Sequence, residues 1–324
     1  MRAFRVALSV LLAPPVFAGA ALCAGAAAAA HMGRTSLRFD ILAHFAPLWL
    51  AGGLLALAGA FLFRGYVRAL ILGMAATAVL CAGALMAPEY LRDTGPKAPA
   101  SAPDQLKVVQ FNVWSRNDDL EGALDWALGQ DADLVLFQET TPRLRELVAQ
   151  RSGWHVTCRT CEVMILSRRP PVRGEMVRLR GPYPGPLTRA VFRDARGTFP
   201  VIGVHYAWPT DSSDQQAQEA GLARVIAMSP RERTIVAGDF NSAPWSFSRR
   251  RWDAEFGLIR RDRALFSWPA RQYKRLQWLG LFPFLPIDHV YAGSDWATVK
   301  VERGPRLGSD HYPIVMTLAP VSRR

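Results

Sequence analysis

Apolar residues are unevenly spread along the chain. Three long segments, residues 5–29, 41–63 and 69–88, carry no Asp, Glu, Lys or Arg apart from Arg5 at the edge of the first. A bilayer core takes about 20 apolar residues in helical form, whereas a helix packed on a soluble core keeps a polar face. The pattern predicts three membrane spans. The first also fits a secretory signal, because Arg2 and Arg5 precede an apolar stretch that ends in the small residues Ala26–Ala30. Both readings place the rest of the chain on the outer side: three spans from an inner N-terminus, or two from an outer one. Arg2, Arg5, Arg64 and Arg68 on the inner side against Arg34 and Arg38 on the outer give a mild positive-inside bias toward that orientation.

Beyond the spans the pattern changes. Residues 93–104 (DTGPKAPASAPD) are rich in Pro and small residues and read as a linker. Short β-prone runs follow at Lys107–Phe111, Leu134–Phe137, Val163–Leu166, Thr188–Phe192, Pro200–Val204, Ile235–Ala237, His289–Ala292 and Ile314–Leu318. Helical stretches at Leu120–Leu128, Pro142–Gln150 and Asp214–Met228 interrupt them. Continuous apolar strands suit sheets packed on one face and covered on the other. The organisation expected is a transmembrane region at 1–92, a linker at 93–104 and an α/β domain at 105–324.

Charge and cysteine content add little to this picture. The net charge of +12 in 324 residues favours anionic partners such as phosphates, nucleic acid or acidic headgroups, and also suits a plain solvated basic surface. Cys23 and Cys81 fall inside predicted spans, and Cys158-Arg-Thr-Cys161 forms one CxxC. A single pair falls short of the four ligands of a structural zinc site. A local disulfide in an oxidising compartment and two free thiols both stay open.

The ends of the apolar strands carry the chemistry. VVQFN ends at Asn112, LVLFQE at Glu139, VIGVH at His205, and IVAGDFN at Asp239 and Asn241. Adjoining loops add Asp288 and His289 in IDH, then Asp310 and His311 in GSDH. Core packing accounts for the apolar part of each run. It does not account for so many carboxylates, carboxamides and imidazoles at one end, where a rigid sheet presents functional groups.

In this order, FNVW, FQE, GVHYAWP, AGDFNSAP, IDHVYAG and GSDHYPIVMTL resemble the endonuclease/exonuclease/phosphatase superfamily over about residues 105–320. The group includes deoxyribonuclease I-like metal-dependent phosphoesterases and a bacterial membrane-anchored type with N-terminal transmembrane helices. The resemblance implies a four-layer sandwich of two packed mixed β-sheets flanked by helices, here preceded by an all-helical transmembrane segment. It implies Mg²⁺, or Mn²⁺ in its place, held by Glu139 with Asn112 and Asp310. It implies acid–base work by His205 and His311, with Asp288 orienting the second imidazole. Asp239 would orient or activate the attacking water, and Asn241 would donate to a phosphoryl oxygen. His289, next to Asp288, should face the other side of its strand as a structural residue. Trp114 stands where abasic-site enzymes carry an Asp, which weighs against that subclass. Arg168 is a candidate for substrate phosphate.

The substrate class stays open between a lipid-linked or membrane-proximal phosphoester and, less favoured, DNA or RNA; a non-catalytic binding protein would have lost these ligands. The segment Leu265–Pro286 interleaves Arg271, Lys274 and Arg275 with Trp268, Tyr273, Trp278, Phe282 and Phe284. Such a mixture suits a headgroup layer, with Trp278 a candidate contact, and can also stack on bases. The location expected is a bacterial inner membrane with the catalytic domain in the periplasm.

Overall fold

A computed structural model describes residues 2–178, 186–270 and 282–321. Two compact units are present: residues 1–92 with 243–250, and residues 93–242 with 251–324.

The helical unit contains α1 (Arg2–Ala30), α2 (Leu37–His44), α3 (Ala46–Gly59) and α4 (Gly65–Leu91). Two stretches, Leu11–Arg34 and Gly65–Leu91, are long and apolar enough to cross a membrane. The second predicted span differs from expectation, since α2 and the helix after it bend by 59°. Pro47, at the start of α3, explains the break: it has no N–H for the preceding turn, and its ring clashes with the carbonyl four residues back. Ala20, Ala56, Ala60 and Ala75 are buried between the helices, whereas Leu55, Phe61 and Leu80 are exposed. Small residues inside and large apolar ones outside suit helices that pack in lipid. The unit also holds residues 243–250. Asp40 accepts from the Phe247 and Ser248 N–H groups at 2.7 Å each, and His44 Nδ1 accepts from the Ala243 N–H at 3.0 Å.

The second unit is the predicted sandwich. One sheet has the order β11-β12-β1-β2-β4-β3, the other β5-β6-β7-β8-β10-β9. The first comprises β1 (Leu106–Asn112), β2 (Leu134–Gln138), β3 (His155–Thr157), β4 (Met164–Ser167), β11 (Trp296–Arg303) and β12 (Ile314–Pro320). The second comprises β5 (Arg173–Arg178), β6 (Pro186–Asp194), β7 (Gly197–His205), β8 (Ile235–Asp239), β9 (Ile259–Arg260) and β10 (Asp288–Ala292). Helices α5 (Leu120–Leu128) and α6 (Pro142–Ala149) cover the first sheet, burying Leu124, Leu144 and Leu147 on Val109 and Phe111. Both are capped at their first turn, by Asp119 and Thr141. Helix α7 (Ser212–Ala227) and Phe256 of α8 (Phe247–Phe256) cover the second sheet over Ile202, Val204 and Val236. Strands β3, β5, β9 and β11 and helix α8 lie outside the elements expected from the sequence. The linker stretch pairs with the sandwich: the Ala98 N–H donates to Thr298 O and the Thr298 N–H to Pro96 O.

Strand alternation sends the functional groups inward. Val108 of β1, Leu134 and Leu136 of β2, Val201 of β7, Ile235 and Ala237 of β8 and Val290 of β10 all belong to the core between the sheets. Side chains two apart share a face. Asn112, His205, Asp239 and Asp288 therefore continue these inward rows, one from each of four strands. His289 falls on the outer face, as expected, with Nδ1 on Asp262 at 2.9 Å and Nε2 on Ser242 O at 2.8 Å.

Candidate active site

All the inward rows end at one rim. Parallel pairing sets Asn112 beside Gln138 and His205 beside Asp239, and antiparallel pairing sets Asp288 beside Asp239. The chain must turn sharply once these side chains are placed. Glu139, Asn241 and Trp114 have φ of 55°, 47° and 59°. Asn tolerates this left-handed region, but Glu and Trp adopt it at a cost of about 1–3 kcal/mol, and such strain clusters at functional sites. Gly238 (φ 158°) leads into the turn, and a Cβ there would lie 2.0 Å from Val204 O.

The groups form one hydrogen-bonded network. Asn112 Nδ2 donates to Glu139 Oε1 at 3.1 Å and to Asp239 Oδ2 at 3.0 Å. Its Oδ1 accepts from the Trp114 N–H, so Asn112 binds the two carboxylates to each other. Asp288 spends both oxygens, one on Gln110 Nε2 at 2.7 Å and one on His311 Nδ1 at 2.8 Å. His311 Nε2 then faces Asp239 Oδ2 at 3.6 Å. Asp239, Asp288 and His311 lie close enough to share a metal ion, but the hydrogen bonds of Asp288 mark this trio as an oriented imidazole. Ser309 fastens the GSDH loop by donating to Asn112 O at 2.7 Å and accepting from the His311 N–H.

A second histidine–carboxylate pair stands opposite. His205 Nδ1 lies 2.6 Å from Glu162 Oε1, and Nε2 lies 3.7 Å from Asp239 and 4.0 Å from Glu139. Glu162 was not among the residues expected from the sequence. The signal was nevertheless there: it immediately precedes the run Val163–Leu166, which pairs antiparallel with β2, so the start of one strand meets the catalytic end of the other.

Burial and charge set the protonation states. Burial alone would lower His311, but Asp288 and Asp239 outweigh it and lift the imidazole to about 10. Asp288 is held below its ordinary value, with His311 and its hydrogen bonds overcoming burial. Burial pushes Asp239 up to about 6, with His311 opposing and Asp288 adding to the rise. His205 is raised, since Glu162 and Asp239 overcome its burial. Glu139 would rise by burial, yet the Ser115 N–H, His205 and Asn112 bring it below its usual range. Asp310 is raised by burial.

Among the described residues, the buried network oxygens without a hydrogen-bond partner include Asp310 Oδ1, Asn241 Oδ1 and Gln110 Oε1. Asn241 Nδ2 donates to Tyr206 O at 2.8 Å and its backbone N–H to Asp239 Oδ1, so one of the two Nδ2 hydrogens is engaged within the fold. Glu139 and the orphaned Asp310 oxygen are hard anionic donors suited to an alkaline-earth-type ion. Asp310 Oδ2 accepts from Trp268 Nε1 at 3.3 Å, and Trp268 packs on Trp208 and Phe284.

One expected contact does not join the site. Arg168 follows β4 at the far end of the sheet, donates its N–H to Asp133 O, and stacks 4.1 Å from the Trp154 ring. It lines a cavity there with Leu106, Leu134 and Trp296. The reason is strand direction: β4 runs antiparallel to β2, so Ser167-Arg168 emerges beside Leu134 and away from Glu139. Trp278 lies outside the described residues.

A two-sheet sandwich with carboxylates, carboxamides and two oriented imidazoles at one rim defines a phosphoester hydrolase of the deoxyribonuclease I-like class. Residues 109–311 match the Endonuclease/Exonuclease/phosphatase family, and the chain belongs to it. Its members hydrolyse phosphoester bonds and generally depend on a divalent metal. Solved structures share the fold. A functionally unknown conserved protein from Enterococcus faecalis V583 is 15% identical, with TM-score 0.55 over 67% of this chain and 100% of that one. Humanized D. rerio TDP2 is 16% identical, with TM-score 0.53 over 66% and 98%. The human Nocturnin catalytic domain, with bound sulfate anion, is 15% identical, with TM-score 0.51 over 72% and 99%. No curated protein matches the chain.

Proposed function

We propose that this protein is a membrane-anchored, Mg²⁺- or Mn²⁺-dependent phosphoester hydrolase that acts outside the cytoplasm on a membrane-proximal phosphoester. The observation that carries the reading is the convergence of Glu139, Asn112 and Asp239 between two histidine–carboxylate pairs.

Glu139 and Asp310 would hold the cation, with Asn112 keeping Glu139 in place. Bound there, the cation would offset negative charge developing on the phosphoryl oxygens. His311, charged at neutral pH, donates from Nε2 toward a phosphoryl or leaving oxygen, and Asp288 keeps the ring oriented. Asp239, with its pKa near neutrality, orients the attacking water and takes up its proton. His205, held by Glu162, supplies the second imidazole on the opposite side. Asn241 completes the wall through its unpaired Oδ1.

The helical unit supports the proposed location. Its arginine distribution favours an inner N-terminus. The Cys158–Cys161 disulfide suits an oxidising compartment. Exposed Trp208 packs on Trp268, whose Nε1 reaches Asp310, and so supplies apolar surface beside the site for a lipid-linked substrate. The test is an activity panel on the full-length protein in detergent, comparing DNA, RNA, lipid pyrophosphates, sphingomyelin-like diesters and inositol phosphates with Mg²⁺, Mn²⁺ or EDTA. Turnover of a lipid phosphoester that EDTA abolishes supports the reading. Turnover of nucleic acid alone overturns the substrate class.

A further inference from the structure

The two imidazoles are held by different means. Asp288, the partner of His311, is fully buried on a strand and fixed by pairing with Asp239 across the sheet. Glu162, the partner of His205, precedes its strand, and its side chain is 45% exposed. Packing does little to hold such a side chain, so its aim depends on the backbone that carries it.

That backbone is tied at several points. Thr140, next to Glu139 and itself buried, donates its N–H to Glu162 O at 3.0 Å. Its Oγ1 donates to Cys161 O at 2.5 Å. Arg145 of α6 donates to Thr140 O at 3.0 Å and reaches Cys161 O at 3.4 Å. Cys161 is buried and disulfide-bonded to Cys158, with Cα atoms 5.4 Å apart, and its N–H donates to Cys158 O. Cys158 takes a φ of 59°, closing the tight loop that delivers Glu162. Neither the disulfide nor the Thr140 hydroxyl touches a reacting group, yet both converge on the residue before Glu162.

We propose that Thr140 and the Cys158–Cys161 disulfide are positioning residues that aim Glu162 at His205 for the hydrolytic step. The inference rests on the phosphoester-hydrolase reading for its kinetic readout. Groups that orient a functional histidine from behind commonly carry about 10–100-fold in activity. Thr140→Val is isosteric and removes only the hydroxyl, Thr140→Ser keeps it, and Cys158→Ser/Cys161→Ser removes the bridge.

The test uses full-length protein in detergent micelles with ¹⁵N-labelled histidine. The three variants are compared with wild type, in the native and in the Glu162→Gln background. Thr140→Val and the double serine variant should lower kcat about tenfold with KM unchanged, and Thr140→Ser should retain the wild-type rate. The His205 ring-nitrogen resonances should move toward those of Glu162→Gln. In the Glu162→Gln background neither change should lower kcat further. Losses that multiply in that background, or His205 resonances at wild-type positions in Thr140→Val, would overturn the proposal. The resonances are recorded without substrate. A wild type that hydrolyses no phosphoester would therefore defeat the functional reading, while the spectra still decide whether the loop aims Glu162.

Discussion

Asp288→Asn isolates the charge that holds His311 protonated. The substitution keeps the side-chain shape and one acceptor for the imidazole but removes the carboxylate. In the native chain His311 stands at about 10, because Asp288 and Asp239 outweigh its burial. Without Asp288, burial should return it to the ordinary imidazole value of about 6.5 or lower. At a value of about 6.5 the protonated fraction would fall at pH 8 from nearly all to about one thirtieth, while at pH 6 about three quarters would remain. If the imidazolium is the reactive form, the ratio of wild-type to variant kcat/KM should grow about 20-fold or more between pH 6 and pH 8. The assay is a pH series on a small soluble phosphodiester with full-length protein at saturating Mg²⁺. A ratio that is the same at pH 6 and pH 8 would refute the reasoning, since Asp288 would then act through shape and not through the charge of His311.

Other consequences can be checked alongside. His205→Ala should lower kcat by about 10²–10⁴ with a smaller change in KM, the usual range for a proton-transferring group; a change in KM alone would make it a contact. Asp262 is fully buried, yet His289 and Arg260 overcome that burial and hold its carboxyl below the usual carboxylate range. Its stabilising contribution is therefore complete above about pH 4 and lost as pH falls through the folded-state value. Asp262→Asn should lower Tm at pH 7 and flatten the acid side of the Tm–pH curve; an unchanged acid slope would show that Asp262 is not the group responsible. A phosphatase-type topology reporter fused after Arg324 should be active, and a cytoplasm-only reporter silent; the reverse pattern would place the domain inside.

The resemblance carried the sandwich, continuous apolar runs marked eight of its strands, and period-2 alternation then assigned their residues to faces. Val108, Gln110 and Asn112 share one face, and the same rule sends Asp239 inward and His289 outward. Of the strands that escaped notice, β5 and β9 carry no apolar run of useful length. β5 reads RGEMVR, with charged residues at a sheet edge, and β9 is two residues long. Helix α8 reads FSRRRWDAEF, too polar for an apolar stripe. Glu162 was hidden because its importance depends on strand direction, which is a tertiary fact. The same fact removed Arg168 from the site. The bend at Phe45 was marked by Pro47, which an uncharged segment of 23 residues masked when read by hydropathy alone.

Glu139→Gln offers the most direct test of metal-dependent hydrolysis. The change preserves size and removes the charge of the carboxylate that faces Asn112 and His205. Phosphoester turnover by the full-length protein should require Mg²⁺ or Mn²⁺ and disappear in EDTA. Glu139→Gln should reduce it by about a hundredfold or more, the scale on which transition-state electrostatics are lost, and should weaken Mn²⁺ binding measured by electron paramagnetic resonance. Wild-type turnover in EDTA, or a Glu139→Gln variant with full activity and unchanged Mn²⁺ binding, would contradict the assignment.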